Sequence, residues 1–216
     1  MSGILKVGGS ELINDNGGSG ALQWGSGVPS GSIVQVQHTQ YGTNASETGN
    51  MTSLINNTNY VLQASGNTSG GSASGILDVN ITPRIYGSKI WLQCHWMGEL
   101  DQDRAWDCVF FFWRNTTKLA SGVVTGGSPT IGRTGISLPT RTYHDADDNT
   151  TPEILNMQYF DTHGQTESEV NTGTQITYKL GFASSTSFLT QITTNRVIAF
   201  TDEVGVSSIC AIELAP

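Results

Sequence analysis

Acidic side chains that could form a catalytic pair lie close together at one point in the sequence. Cleavage of a glycosidic bond needs two carboxyl groups that face each other across a cleft, and four acidic residues are clustered here: Glu99, Asp101, Asp103 and Asp107. Carboxylates in a strand connection more often keep it soluble, and nothing in the sequence builds a cleft around these. The chain also has no Gly-x-Ser-x-Gly, no His-Glu-x-x-His and no phosphate-binding loop. We therefore expect a protein that is not an enzyme.

A second set of oxygen ligands occurs in the acidic stretch 144–149, HDADDN. Ca²⁺ binds carboxylate and amide oxygens, and one loop here offers several of them. The stretch lacks the regular spacing of known calcium loops, so a solvated acidic loop is the simpler interpretation. We predict no cofactor, with calcium at 144–149 as the open alternative.

The elements that would position these groups centre on Ser88–Asn115, which contains four of the five tryptophans. We predict a β-hairpin with its loop at Gly98–Arg104, in which the numbers of paired residues sum to 202. One face then forms an apolar column. Its pairs are Ile90 with Phe112, Leu92 with Phe110, Cys94 with Cys108, and Trp96 with Trp106.

The other face of this hairpin is also aromatic. A sheet with one solvated face alternates apolar with polar residues, so aromatic side chains on both faces indicate that the second face is covered. Buried oligomer interfaces are rich in aromatic residues, whereas exposed aromatics can instead stack on sugar rings. We predict that this face is covered by a second copy of the chain or by another part of the same chain, with stacking on sugar as the alternative. The predicted subunit interface consists of Trp91, His95, Asp107, Phe111 and Trp113.

Composition limits the class of protein and its partners. The 216 residues carry a formal net charge of −8, so we expect no nucleic-acid partner, because phosphate binding needs a basic surface. The sequence shows neither a signal peptide nor a membrane-spanning stretch, so we predict synthesis in a cytoplasm and no membrane insertion. The cysteines Cys94, Cys108 and Cys210 lie within strand-like runs. We favour buried thiols, with a disulfide between the first two as the less favoured alternative.

Residues 1–31 differ in pattern from the rest of the chain. Short apolar clusters alternate with glycines, and none is long enough to bury itself without a partner. A flexible tail is one interpretation; we favour an extended anchoring arm that becomes ordered on another protein. Its contacts would be Ile4, Leu5, Val7, Leu12, Ile13, Leu22 and Trp24.

Residues 32–216 have the pattern of a β domain. Short runs with period-two alternation are separated by Gly, Asn and Ser turns, and no sustained helical period occurs. We predict an all-β, jelly-roll-like antiparallel sandwich. The clearest predicted strands are Ser32–Gln40, Asn59–Gln63, Gly75–Thr82, Glu153–Asp161, Thr174–Phe182 and Ser207–Leu214.

Several of these segments, in this order, resemble the β domain of virion proteins from marine and cyanobacterial tailed phages. They are Gly31-Ser-Ile-Val-Gln-Val-Gln, Ile81-Thr-Pro, Gly87-Ser-Lys-Ile, Arg114-Asn-Thr-Thr, Tyr159-Phe-Asp-Thr, Thr177-Tyr-Lys, Asn195-Arg and Ser207-Ser-Ile-Cys-Ala-Ile-Glu-Leu. The opening MSGILKV and its glycine-rich continuation also resemble the start of short phage fibre proteins.

The resemblance implies a trimeric, non-enzymatic virion protein, made in the bacterial host cytoplasm and carried on the particle. Residues 1–31 would attach to other tail or capsid proteins, and residues 32–216 would form the head. A tail-fibre or receptor-binding role is the first expectation, a capsid decoration protein the second, and a sugar-binding module or depolymerase the third. Because binding residues are often found on exposed loops, we predict contact with a host glycan or protein through Tyr41, Asn44, Asn67, His144, Asp145, Asp147 and Asp148.

Overall fold

The structure is a computed structural model that describes residues 4–7, 9–14, 23–24, 27–47, 58–64, 69–100, 108–121, 135–141, 150–184, 191–199 and 203–216. These residues form fifteen strands and one short helix. The strands are β1 (Ile4–Val7), β2 (Ser10–Asn14), β3 (Gln23–Trp24), β4 (Ile33–Tyr41), β5 (Ala45–Glu47), β6 (Tyr60–Val61), β7 (Asp78–Ile81), β8 (Lys89–Leu100), β9 (Cys108–Arg114), β10 (Thr117–Lys118), β11 (Thr140–Arg141), β12 (Glu153–Asp161), β13 (Ile176–Ser184), β14 (Ile192–Thr194) and β15 (Ser207–Leu214). The helix is α1 (Glu167–Asn171).

Two antiparallel sheets form the body of the protein. The larger has seven strands and is built around β8, which pairs with β12 on one side and with β15 and β14 on the other. Strand β12 continues to β11, β15 to β4, and β14 to β5. The smaller has five strands around β13, which pairs with β9, β7 and β6, and β9 continues to β10. This arrangement confirms the predicted all-β antiparallel sandwich.

A hairpin between β8 and β9 was predicted, and this prediction is wrong. The two strands belong to different sheets: β8 forms a nine-residue ladder with β12, and β9 forms a seven-residue ladder with β13. The physical reason lies in the apolar columns that both strands carry. Strands on opposite sheets can pack these columns against each other and exclude water between them, whereas side-by-side strands would put both columns on the same wall of the core.

The residues assigned to the inward column are nevertheless buried. Ile90, Leu92 and Trp96 on β8 are fully buried, as are Phe110 and Phe112 on β9, and all belong to one core cluster. Cys94 and Cys108 are buried and are not joined to each other, so the less favoured disulfide is not present. Trp106 lies outside the described residues. Strand alternation therefore predicted which side chains face inward, but not which strands are neighbours.

The N-terminal segment contains a sheet of its own. Strands β1, β2 and β3 pair in that order, and β1–β2 contains a register shift between Leu5 and Lys6. An extended anchoring arm was predicted here, and its described residues pair with one another. Gly31 then joins the sandwich, because its N–H donates to the carbonyl of Ala215.

Helix α1 lies between the predicted strands Glu153–Asp161 and Thr174–Phe182, where no helix was predicted. Thr166 caps it: the side chain accepts from the backbone N–H of Glu169, whose carboxylate accepts from the backbone N–H of Thr166. Thr-x-x-Glu followed by the apolar Val170 is a capping-box signature. The sequence therefore contained a signal for this helix.

Candidate functional site

The outer face of the larger sheet presents side chains in ordered rows. Strands β12, β8, β15 and β4 are neighbours in that order, so residues in register form lines across the sheet. Rows of residues that point to one face repeat roughly every 7 Å along the strands. The first row, which we call the apolar row, contains Phe160, Trp91, Ile212 and Val36.

The apolar row is partly open to solvent. Phe160 is 55% exposed and Val36 52%, while Ile212 is nearly buried. The Trp91 and Phe160 rings are stacked, with centroids 5.6 Å apart and planes inclined by 13°. The indole N–H of Trp91 is buried and makes no hydrogen bond with the residues that the structure describes. Two large aromatic rings thus stand at the surface of a regular sheet.

The next two rows are polar and line a depression of about 510 Å³, which we call the polar cavity. One row is Gln158, Gln93, Cys210 and His38, and the other is Asn156, His95, Ser208 and Gln40. The volume is within the range of small-ligand sites. Six polar residues line the cavity: His38, Gln93, His95, Asn156, Gln158 and Ser208.

One hydrogen bond within the polar cavity fixes a histidine. The Nδ1 atom of His95 lies 2.9 Å from Oδ1 of Asn156. Because that oxygen only accepts, Nδ1 is the donor in this hydrogen bond. His95 was predicted to pair with Asp107, which lies outside the described residues; its observed partner is on β12.

Cys210 and His38 face each other on β15 and β4, which is the combination of a thiol nucleophile and a base. Burial raises the pKa of the Cys210 thiol, which disfavours the reactive thiolate. The hydrogen bonds of the described residues include none between the two side chains. This pair therefore has the composition of a catalytic dyad without its activation.

Phe111 and Trp113 do not share a face with Trp91, as the predicted interface required. They project from the smaller sheet, are 0% and 4% exposed, and pack with Val61 and Ala183. The indole N–H of Trp113 donates to the carbonyl of Tyr60 at 3.1 Å. The chain itself covers these two side chains, so the predicted single aromatic column does not exist.

A glycine allows these rings to lie against the smaller sheet. A Cβ atom at Gly181 would lie 2.5 Å from Cε2 of Phe111 and 2.5 Å from Nε1 of Trp113, closer than non-bonded atoms approach. Glycine in a strand often marks such a close approach. Trp91 and His95, by contrast, lie on the partly exposed outer face of the larger sheet, and a subunit contact through them remains a prediction.

Glu99, one of the suggested catalytic carboxylates, is buried and bound to backbone amides. It was expected in a loop, but β8 continues to Leu100. Its oxygens accept from the N–H groups of Thr151 and Ile198, and Glu99 is only 2% exposed. These hydrogen bonds connect the segments that contain Thr151 and Ile198 to β8. Asp101, Asp103 and Asp107 lie outside the described residues.

A buried polar network at the other end of β8 has the residue types of a hydrolase triad in a different order. Ser88 donates to Oε1 of Glu213 at 2.8 Å and lies 3.4 Å from Nε2 of His163. In a catalytic triad the histidine is in the middle and orients the serine, whereas here the serine is in the middle. All three side chains are buried. This network joins segments rather than activating a nucleophile.

Glu213 is the anchor of that network. Its carboxylate accepts from the backbone N–H groups of Arg84 and Ile85 and from the side-chain amide of Gln35. Burial lowers the pKa of His163, and the charges of Asp161 and Glu213 oppose this shift. His163 therefore accepts at Nδ1 from the N–H of Gln165 as a neutral ring.

A charged pair adjoins this network. Asp161 accepts from Nη1 of Arg114 at 2.9 and 3.1 Å and from the Tyr178 hydroxyl at 2.7 Å. Burial and the Asp161 charge raise the pKa of Tyr178 far above its usual value. These contacts join β9, β12 and β13, and so connect the two sheets of the sandwich.

The structure covers the other predicted site residues only in part. Tyr41 ends β4 and is half-buried, and Asn44 is exposed between β4 and β5. Asn67 and the predicted calcium residues His144, Asp145, Asp147 and Asp148 lie outside the described residues. No group of His, Cys, Asp and Glu side chains in the described ranges could hold a metal ion.

The predicted attachment residues mostly lie on the small N-terminal sheet. Ile4, Leu5 and Val7 are on β1, Leu12 and Ile13 on β2, and Trp24 on β3, whereas Leu22 is outside the described residues. Leu5 is 55% exposed. Attachment through these residues remains a prediction. Among the described residues, no helix is long and apolar enough to cross a bilayer.

Comparison with known proteins gives no family for this chain. No protein-family model matches the sequence, and no curated protein matches it. The geometry of the outer face is therefore the main guide to function.

Proposed function

We propose that the chain is a non-enzymatic structural protein of a tailed-phage virion, a short trimeric tail-fibre or receptor-binding component that contacts the host. The observation that carries this proposal is the outer face of the larger sheet. There the stacked Trp91 and Phe160 form the row next to the polar cavity, and the Phe160 ring is 55% exposed. Binding proteins typically present such groups on a rigid scaffold.

The separation of the chain into two sheet systems supports the same function. Strands β1–β3 pair among themselves, and the sandwich starts near Gly31 and Ser32, which hydrogen-bond with Ala215. A virion protein needs one part for attachment to the particle and another for its outward function. The resemblance of residues 31–216 to phage virion proteins, quoted above, points in the same direction.

The proposal is tested on particles of the phage that encodes the chain. Density-purified virions are analysed by mass spectrometry, and antibodies against the sandwich are used for immunogold electron microscopy. We expect the protein in stoichiometric amounts with gold at the tail. Gold over the capsid would indicate the decoration role instead. A protein abundant in infected cells but missing from purified particles would contradict the virion assignment altogether.

Oligomeric state is a separate part of the proposal. Sedimentation equilibrium of the purified chain should give three times its 23.1 kDa mass. A monomer over the accessible concentration range would refute the trimer, while leaving the virion assignment to be decided by the particle analysis.

A further inference from the structure

We propose that the polar cavity binds an uncharged oligosaccharide and, on the basis of the proposed function, that this sugar belongs to the host surface. The expected receptor residues were on loops; the geometry points instead to the regular outer face of the larger sheet. The site is formed by β4, β8, β12 and β15, which are hydrogen-bonded to one another.

The first reason is a set of unpaired hydrogen-bonding groups. Gln93 and Gln158 face each other on β8 and β12, and the hydrogen bonds of the described residues include none from either side chain. His38 and Ser208 are likewise without a side-chain partner among these residues. Amide groups both donate and accept, which suits the hydroxyl groups of a sugar because each hydroxyl also does both.

The second reason is the charge of the lining. The described residues around the cavity include no Asp, Glu, Lys or Arg. An anionic or cationic ligand would be expected to meet complementary charge. A ligand with many hydroxyls and no charge fits this lining better than a phosphate, a nucleotide or a charged peptide.

The third reason is the apolar row one step along the strands. Trp91 precedes Gln93 by two residues on β8, and Phe160 follows Gln158 by two residues on the antiparallel β12. The two rings therefore form the row next to the cavity, roughly 7 Å from its first polar row. A pyranose has apolar C–H faces that pack against aromatic rings, and its edges carry the hydroxyls. Rings beside unpaired amides therefore match both surfaces of a sugar.

A second copy of the chain fits the cavity less well. The aromatic rings alone could form a subunit contact, but a facing sheet would leave a depression of about 510 Å³ to be filled. It would also desolvate the unpaired amides of Gln93 and Gln158, and a buried polar group without a partner is destabilising. Self-association through this face is therefore an outcome of the test below.

The test uses the full chain and an array of neutral and acidic oligosaccharides, with calorimetric titration of each neutral binder. Gln93→Ala with Gln158→Ala, and separately Phe160→Ala, should each weaken binding at least about tenfold. Gln37→Ala is the matched control: it removes an exposed glutamine from β4 whose side chain points to the opposite face from His38. Circular dichroism melting checks that each variant is folded.

Cys210 provides an independent readout inside the cavity. Cys94 and Cys108 are buried, whereas Cys210 is partly exposed, so N-ethylmaleimide should modify Cys210 first. A saturating neutral oligosaccharide should slow this reaction, as measured by intact-protein mass spectrometry. A variant that binds no sugar should show no protection.

Three results would overturn the inference: no neutral oligosaccharide binds, binding is unchanged in the cavity variants, or these variants change the sedimentation coefficient instead of sugar binding. The last result would assign the face to a second copy of the chain. These failures are distinct from failure of the proposed function, because particle analysis does not depend on sugar binding. A chain that binds sugar but is missing from virions would keep the inference and refute the virion role.

Discussion

The indole ring of Trp96 on β8 packs against the phenyl ring of Phe110 on β9, with centroids 5.3 Å apart and planes inclined by 33°. One residue belongs to the larger sheet and the other to the smaller. The Phe110 ring also lies beside the Phe182 ring, with centroids 6.2 Å apart. The contact between Trp96 and Phe110 therefore joins the two layers of the sandwich through two large, fully buried side chains.

Removing either ring should strongly destabilise the fold. Trp96→Ala or Phe110→Ala should lower the free energy of unfolding by about 3–5 kcal/mol, because each leaves a large core cavity. Guanidinium unfolding of the single and double variants gives the coupling energy. Fully additive losses would contradict a direct contact.

The tryptophans on β8 and β9 differ in whether the indole N–H has a partner. Trp96 donates to Oγ1 of Thr194 and Trp113 donates to the carbonyl of Tyr60, whereas the buried N–H of Trp91 has no partner among the described residues. Replacement by Phe should therefore cost at least about 1–3 kcal/mol at Trp96 and Trp113, and much less at Trp91. Equal losses at all three positions would contradict this interpretation.

Stability should fall on acidification because of His163. Its folded-state pKa is lowered by burial, so below about pH 6.5 the unfolded chain takes up a proton that the folded chain resists. The effect is at most about 1.4 kcal/mol per pH unit. Urea unfolding between pH 5 and 7.5 should show that the free energy of unfolding depends less steeply on pH in His163→Asn than in wild type. Asparagine is chosen because it tolerates the left-handed backbone at this position (φ 45°). The matched control is His38→Asn, a change at an exposed residue; an identical pH dependence in wild type and His163→Asn would rule out His163 as the source.

Lys118 should lose its proton at a lower pH than an ordinary lysine does. Burial lowers its pKa to about 8, even though Nζ donates to Oδ1 of Asn59 at 2.7 Å and lies 4.3 Å from the centroid of the Phe111 ring. An NMR titration of the lysine ε-carbons should show one midpoint near pH 8 that disappears in Lys118→Arg. Since the unfolded chain keeps this proton to higher pH, stability should rise between about pH 8 and 10.5. A midpoint above 10 would contradict the assigned burial.

Removing the N-terminal sheet should separate attachment from folding. We expect deletion of residues 1–26 to keep the melting temperature within a few degrees, because the hydrogen bonds of Gly31 and Ser32 to Ala215 remain. The truncated chain should no longer be incorporated when it complements a phage that lacks the gene. Normal incorporation would exclude residues 1–26 as the attachment segment.

The sequence predicted individual strands better than their arrangement. The predicted strands Glu153–Asp161 and Ser207–Leu214 have the observed bounds, because strict alternation and flanking turns define a strand locally. Alternation also identified the buried residues of β8. It could not identify the neighbours of β8, since pairing depends on ladder length and on the packing of the second sheet rather than on proximity in sequence.

The polar cavity could not be predicted for the same reason. His38, Gln93, Asn156 and Ser208 come from four strands that are far apart in sequence, and each is an ordinary outward-facing polar residue of its own strand. The available signal was that Gln93 and His95, like Asn156 and Gln158, repeat polar groups on one face. Only the order of the strands brings these groups together.

The pairing of β4 with β15 also determines when the protein can fold during synthesis. A hydrogen bond in this region connects Gln35 with Glu213, 178 residues later in the chain. The ribosome must therefore release almost the whole sandwich before β15 can pair with β4 and β8 and complete the larger sheet. Until then, the edges of β4 and β8 that will pair with β15 are exposed to other nascent chains. Productive folding thus depends on delaying contacts between nascent chains, and a rapid burst of expression should favour aggregation over native protein.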